Sequence, residues 1–121
     1  MTKRADKTLE QYLLDLVEWG EKATRVAGRT SRSTIVEDEQ AELALARAVE
    51  IVGEIAGRIL AEAAEEGRRR FDHDLSNAYR LRNRLAHGYD NVSPEMLYDI
   101  ARDNIPALTD KARRWLAELP P

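Results

Sequence analysis

Arg82, Asn83, Arg84, His87 and Tyr89 fall within eight consecutive residues, Arg82-Asn83-Arg84-Leu85-Ala86-His87-Gly88-Tyr89. A guanidinium stays charged throughout the physiological range and grips phosphate oxygens, and an imidazole gives or takes a proton near neutrality. Fixed positive charge beside a proton-transfer group suits phosphodiester chemistry performed by side chains alone, with no metal. A purely structural use of the same residues is also open. Basic residues in a last helical turn complement the helix dipole and glycine is a frequent terminator, so Arg82, Arg84, His87 and Gly88 can simply finish a helix.

Helical geometry divides the motif. At 100° per residue, Asn83 and Arg84 lie four and three positions before His87 and flank it on one face. Arg82, five positions before His87, is rotated away by about 140°. Three arrangements bring it to His87: the helix ends near Leu85, the long side chain wraps around the helix, or a second copy of the chain completes the site.

The charge around the motif is basic although the chain as a whole carries a net charge of −3. Between residues 68 and 87, Arg68, Arg69, Arg70, Arg80, Arg82 and Arg84 face only Asp72 and Asp74, whereas residues 37 to 66 hold nine acids against Arg47 and Arg58. The local sign fits a phosphate backbone and the total does not oppose it. Arg80 and Arg84 are therefore candidate phosphate contacts.

No other constellation competes. His73 stands between Asp72 and Asp74, but three consecutive residues at a helix start point in different directions, and capping by the aspartates explains them without a metal. The absence of cysteine excludes disulfides, zinc-thiolate sites and thiol catalysis. Nothing implies a cofactor. Glu54, set among apolar residues of a long helix, is a further candidate for the cleft, with a salt bridge as the simpler role.

At 121 residues, 43% of them hydrophobic and 34% charged, the chain is expected to form one domain spanning residues 1 to 121. Met1-Thr2-Lys3-Arg4 does not open a signal peptide and no apolar run is long enough to span a bilayer, so a soluble, cytoplasmic protein is expected. Leu9, Tyr12, Leu13, Leu16, Trp19, Ala23 and Val26 predict a first helix over 8–27, with Thr8 and Gln11 as a capping box. Thr34-Ile35-Val36-Glu37 repeats that start signal ahead of a second helix over about 36–66, ended by Gly67.

This second helix carries an apolar stripe at Ala41, Leu45, Val49, Val52, Ala56, Ile59 and Ala63, and a partial second one at Ala44, Ala48, Ile51 and Ile55. It should sit between neighbours or offer its second face to another subunit. Gly53 and Gly57 within it predict close approach of another backbone. A third helix runs from Asp72–Asp74 through Leu75, Ala78, Tyr79, Leu81 and Leu85 to His87-Gly88. Ser93-Pro94-Glu95 opens a fourth, whose apolar face is Met96, Leu97, Ile100, Ala101, Ile105, Leu108, Trp115 and Leu116. Pro106 should kink or split it near Asn104 or Ile105. The fold class is all-α, an up-and-down bundle of four main helices with the fourth kinked at Pro106.

The motif resembles the Arg-x4-His-x-Tyr signature of HepT-like proteins in the HEPN superfamily. Glu50-Ile51-Val52-Gly53-Glu54-Ile55-Ala56 resembles the family's long-helix motif, and Asp103-Asn104-Ile105-Pro106-Ala107-Leu108 its fourth-helix segment. The resemblance implies a helical homodimer with a cleft at the interface. It also implies a metal-independent ribonuclease acting as the toxin of a prokaryotic toxin-antitoxin pair. A minimal nucleotidyltransferase would be the antitoxin, inhibiting the toxin by transferring AMP to the motif tyrosine, here Tyr89. On the same basis Arg82 and His87 would act on the scissile phosphate and its protons, and Asn83 would orient one of them. Two alternatives stand beside this reading: a non-catalytic HEPN module that binds a nucleotidyltransferase or a nucleotide, and a purely structural helical dimer.

Overall fold

The computed structural model describes residues 7–65, 73–88 and 92–121. Helix α1 (Leu9–Gly28) starts where the sequence places it. The Gln11 amide donates to the Thr8 hydroxyl and the Thr8 amide to the Gln11 side chain, closing a capping box. Leu9, Leu13, Leu16, Ala23 and Ala27 recur at helical spacing and are buried, each of the leucines stabilising the fold by roughly 1.5–3 kcal/mol.

Helix α2 (Glu39–Glu65) begins later than its start signal predicts. Thr34 is not its cap, because residues 31 to 34 close on themselves. The Ser31 hydroxyl donates to Thr34 Oγ1 at 2.7 Å and accepts from the Thr34 amide at 3.1 Å. This turn drives Ile35 fully into the core, and Asp38 instead accepts from the Ala41 amide at 3.0 Å. Arg32 fastens the loop across the bundle through its Nε, 3.1 Å from Asp99. That hydrogen bond, reinforced by the carboxylate's charge, raises the Arg32 pKa further.

The first stripe of α2 is buried from Leu45 through Ala63. Ala48 and Ile55 of the second stripe are buried too, while Ala44 is exposed. Helix α2 packs against α1 and against α3 (His73–His87), so the wider apolar arc reflects a central position. Gly67 and Asp72 lie outside the described residues. Helix α3 is peripheral: Leu75 is its one buried residue.

The last helical stretch comprises α4 (Pro94–Asp99), a π-helical turn (Ile100–Asn104) and α5 (Ile105–Glu118). Ser93 caps it, accepting from the Met96 amide at 3.1 Å, with Pro94 just inside. The disturbance due to Pro106 takes the form of the widened turn, with the Ile105 N–H reaching back to the Ile100 carbonyl. Proline lacks an N–H and its ring would collide with the carbonyl four residues earlier; one extra residue in the turn accommodates both. Helix α5 buries Ile105, Leu108, Ala112 and Trp115 and meets α1 where Gly20 lies under Thr109. The architecture is an all-α bundle of four helices with α4, the π turn and α5 in series. Among the described residues, no helix is long and apolar enough to cross a membrane.

Candidate functional site

Helix α3 reaches the site because α2 offers it a surface without side chains. A β-carbon built on Gly53 would stand 2.5 Å from the Ala78 carbonyl oxygen and would also collide with the Arg82 β-carbon. One turn further along α2, a β-carbon on Gly57 would stand 2.5 Å from the Tyr79 ring. The two glycines therefore let α3 lie directly on α2, and Arg82 is half-buried in the contact.

Confinement of its stem limits where the Arg82 side chain can go. Nη1 donates to Asn83 Oδ1 at 3.0 Å. The Nε atom is buried, and no acceptor meets it among the described residues. A buried guanidinium N–H without an acceptor is costly. Asn83 is also half-buried and stands four residues before His87, on the imidazole's own face.

His87 is exposed and is the last residue of α3. The helix closes there, with the Gly88 amide donating to the Arg84 carbonyl at 3.0 Å. An ending near Leu85 is thereby ruled out. Of the routes from Arg82 to His87, the side chain's turn toward Asn83 is the one visible within a single chain.

Arg80 and Arg84 separate from this group. Both are exposed and line a cleft between α3 and the π turn with α5. Glu54 is exposed beside Gly53 on α2. Tyr89, Arg68, Arg69 and Arg70 lie outside the described residues. So does Asp72 of the aspartate-flanked histidine, and the Asp74 carboxylate is engaged by Lys111 from α5. Among the described residues, no group of three His, Asp or Glu side chains is placed to hold a metal ion.

Residues 16–115 match the family model described as Ribonuclease HepT-like. The chain belongs to the HepT-like ribonuclease family. No curated protein and no solved structure matched it. The matched span takes in most of α1, the whole of α2 and α3, and α5 as far as Trp115. It therefore contains Gly53, Arg82, Asn83, Arg84 and His87.

What sequence reasoning missed in this HepT-like chain is the dependence of Arg82 on Gly53. The glycine pair signalled a close approach, but not what approached. The cleft beside Arg80 and Arg84 was also missed. Its far wall carries Asp103 and Asn104 of the π turn, which the sequence marked only as part of the segment around Pro106.

Proposed function

We propose that this HepT-like chain is a metal-independent endoribonuclease that cleaves RNA by attack of the 2′-hydroxyl on the adjacent phosphate. The supporting observation is the Arg82 side chain, half-buried and turned to Asn83, on the last turns of the helix that presents His87. A phosphate bound there receives charge-assisted hydrogen bonds from the guanidinium, which strengthen as negative charge grows on the phosphoryl oxygens. The 2′-oxygen bonds to phosphorus and the bond from phosphorus to the 5′-oxygen breaks. His87 takes the 2′-proton, and an imidazolium returns a proton to the departing 5′-oxygen. The products are a 2′,3′-cyclic phosphate and a 5′-hydroxyl.

One imidazole per chain can serve both steps in turn, whereas two subunits would supply an acid and a base together. The exposed side of α3, which includes Tyr79, supports a homodimer as the working form. We place the protein, on the basis of its family, as the toxin of a prokaryotic pair. A minimal nucleotidyltransferase would be its partner and AMP on Tyr89 the off-switch.

Cleavage of RNA in EDTA tests the reading. Product ends carrying 2′,3′-cyclic phosphate, and loss of cutting in His87→Ala by about 10²–10⁴-fold, are expected. Equal cutting by the His87→Ala protein would overturn the assignment.

A further inference from the structure

The cleft lined by Arg80 and Arg84 is distinct from the Arg82–Asn83 contact, and the packing explains it. Helix α3 follows the glycine track of α2, and α5 keeps contact with α1. Lys111 and Asp74 tie α3 to α5 at one place, and beside that tie a cavity of about 430 Å³ remains. This is within the usual range of small-molecule sites, about 300–1,000 Å³.

The chemistry of the walls is that of a base-binding pocket. Leu81, Ile100 and Leu108 give an apolar interior; Arg80 and Arg84 stand on the α3 side, and Asp103 faces them from the π turn. Planar guanidinium groups stack on nucleobases and also attract phosphate. A carboxylate accepts a pair of adjacent N–H donors, and guanine presents such a pair at N1 and N2. Uracil presents a single N–H between two carbonyls, which a carboxylate repels. Arg84 is three residues from His87, so the mouth of the cleft lies about 60° around the helix from the imidazole. A strand bound at His87 needs to travel only the width of α3 to reach it.

We infer that the cleft between α3 and α5 is a subsite for one unpaired guanine of the RNA, next to the phosphate that is cut. This rests on the ribonuclease reading for its setting, but the base site itself is measurable without cleavage. Guanosine and uridine 5′-monophosphates are titrated separately into the full chain by calorimetry, and cleavage sites are mapped on an RNA library.

The parent protein is expected to bind the guanine nucleotide at least about tenfold more tightly than the uridine nucleotide. Asp103→Asn should erase that difference. Ala107→Phe, which fills the cleft from an exposed position on α5, should weaken the guanine nucleotide about tenfold, whereas Ala107→Ser should retain it. The library should show guanine enriched at one position beside the cut, and Asp103→Asn should remove the enrichment.

Equal binding of the two nucleotides, or guanine binding indifferent to both Asp103→Asn and Ala107→Phe, overturns the subsite. Cutting that depends on His87 but shows no guanine preference overturns it too, and leaves the nuclease standing. Selective guanine binding without any RNA cleavage sinks the nuclease and leaves the cleft as a nucleotide site.

Discussion

Arg82 Nη1 donates to the side-chain oxygen of the very next residue, Asn83, at 3.0 Å. Neighbours in a helix point about 100° apart, so this bond requires the long arginine to bend around the helix. Its stem is held by the contact with Gly53, and Asn83 draws the head toward the face of His87. Asn83 is thus proposed as a positioning residue. Asn83→Ala should lower kcat about tenfold with little change in KM, because the guanidinium is still present but less often aimed. Arg82→Ala should cost about 10²–10³-fold in kcat, and Arg82→Lys nearly as much, since an ammonium lacks the planar fork. Single-turnover kinetics on a defined RNA separates these effects. Equal losses in Asn83→Ala and Arg82→Ala would show that asparagine does more than position.

Gly53 should be the glycine least tolerant of a methyl group near the site. A β-carbon there meets the Ala78 backbone, which cannot move without shifting α3. Gly53→Ala is expected to destabilise the fold by about 1–3 kcal/mol, the usual range for overpacking, and to reduce RNA cleavage by displacing Arg82. Gly28 provides the control. Among the described residues nothing lies within 4 Å of a β-carbon there, and alanine in a helix is favoured over glycine by up to about 1 kcal/mol. Urea denaturation should therefore show loss for Gly53→Ala and none for Gly28→Ala.

The helices were legible because their signals are local. Thr8 with Gln11, Ser93 with Pro94 and the stripe from Leu45 to Ala63 each act within one or two turns. The start of α2 failed for a related reason: Thr34 and Glu37 form a valid capping pattern, but burial of Ile35 and bonding between Ser31 and Thr34 took that residue elsewhere. Composition and order cannot weigh a core contact against a cap. At the site, spacing put Arg82 on a different face of α3 from His87, but it could not show that Arg82 bends round to bond Asn83. It grouped Arg84 with His87, however, and could not show that Arg84 also borders a cleft whose opposite wall is about twenty residues away in the chain.

Arg80 and Arg84 should govern affinity more than rate. Both are exposed at the cleft, and a cation that neutralises one phosphate of single-stranded RNA releases counterions with a salt slope of about 0.7 per contact. Arg80→Ala and Arg84→Ala are each expected to reduce the slope of log K against log salt by about 0.7, additively in the double variant. Binding is measured on a His87→Ala background so that the RNA survives. An unchanged slope in the double variant would remove these arginines from the RNA path.

Pro106 should be replaceable at small cost, because the core and not the ring now fixes the register of α5. Converting the π turn to a regular turn would slip the helix by one residue and rotate Ile105, Leu108, Ala112 and Trp115 by about 100° out of the core; all four are buried. Pro106→Ala is therefore expected to keep the π turn and to lose only about 0.4–1 kcal/mol, mostly from the greater freedom of its unfolded chain. Retained protection of the Ile105 amide against hydrogen exchange, with a small fall in Tm, is the expected pair of readings. A large fall in Tm would give the proline ring a packing role.

Tyr89 should be dispensable for cleavage and indispensable for inhibition. In the sequence it follows Gly88, two residues after the proposed proton-transfer group, and the role proposed for it comes from the family resemblance. AMP on the phenol would add bulk and negative charge two residues along the chain from His87, and is proposed to repel and exclude a bound phosphodiester. Coexpression with a minimal nucleotidyltransferase should add the mass of one or more AMP groups to a peptide containing Tyr89, and the modified protein should lose RNA cleavage. Tyr89→Phe should cut RNA at close to the parent rate, carry no such mass and resist inhibition by the transferase. If Tyr89→Phe is still inhibited and still gains AMP, the modification lies elsewhere; if it is inhibited without AMP, the partner acts by occluding the site.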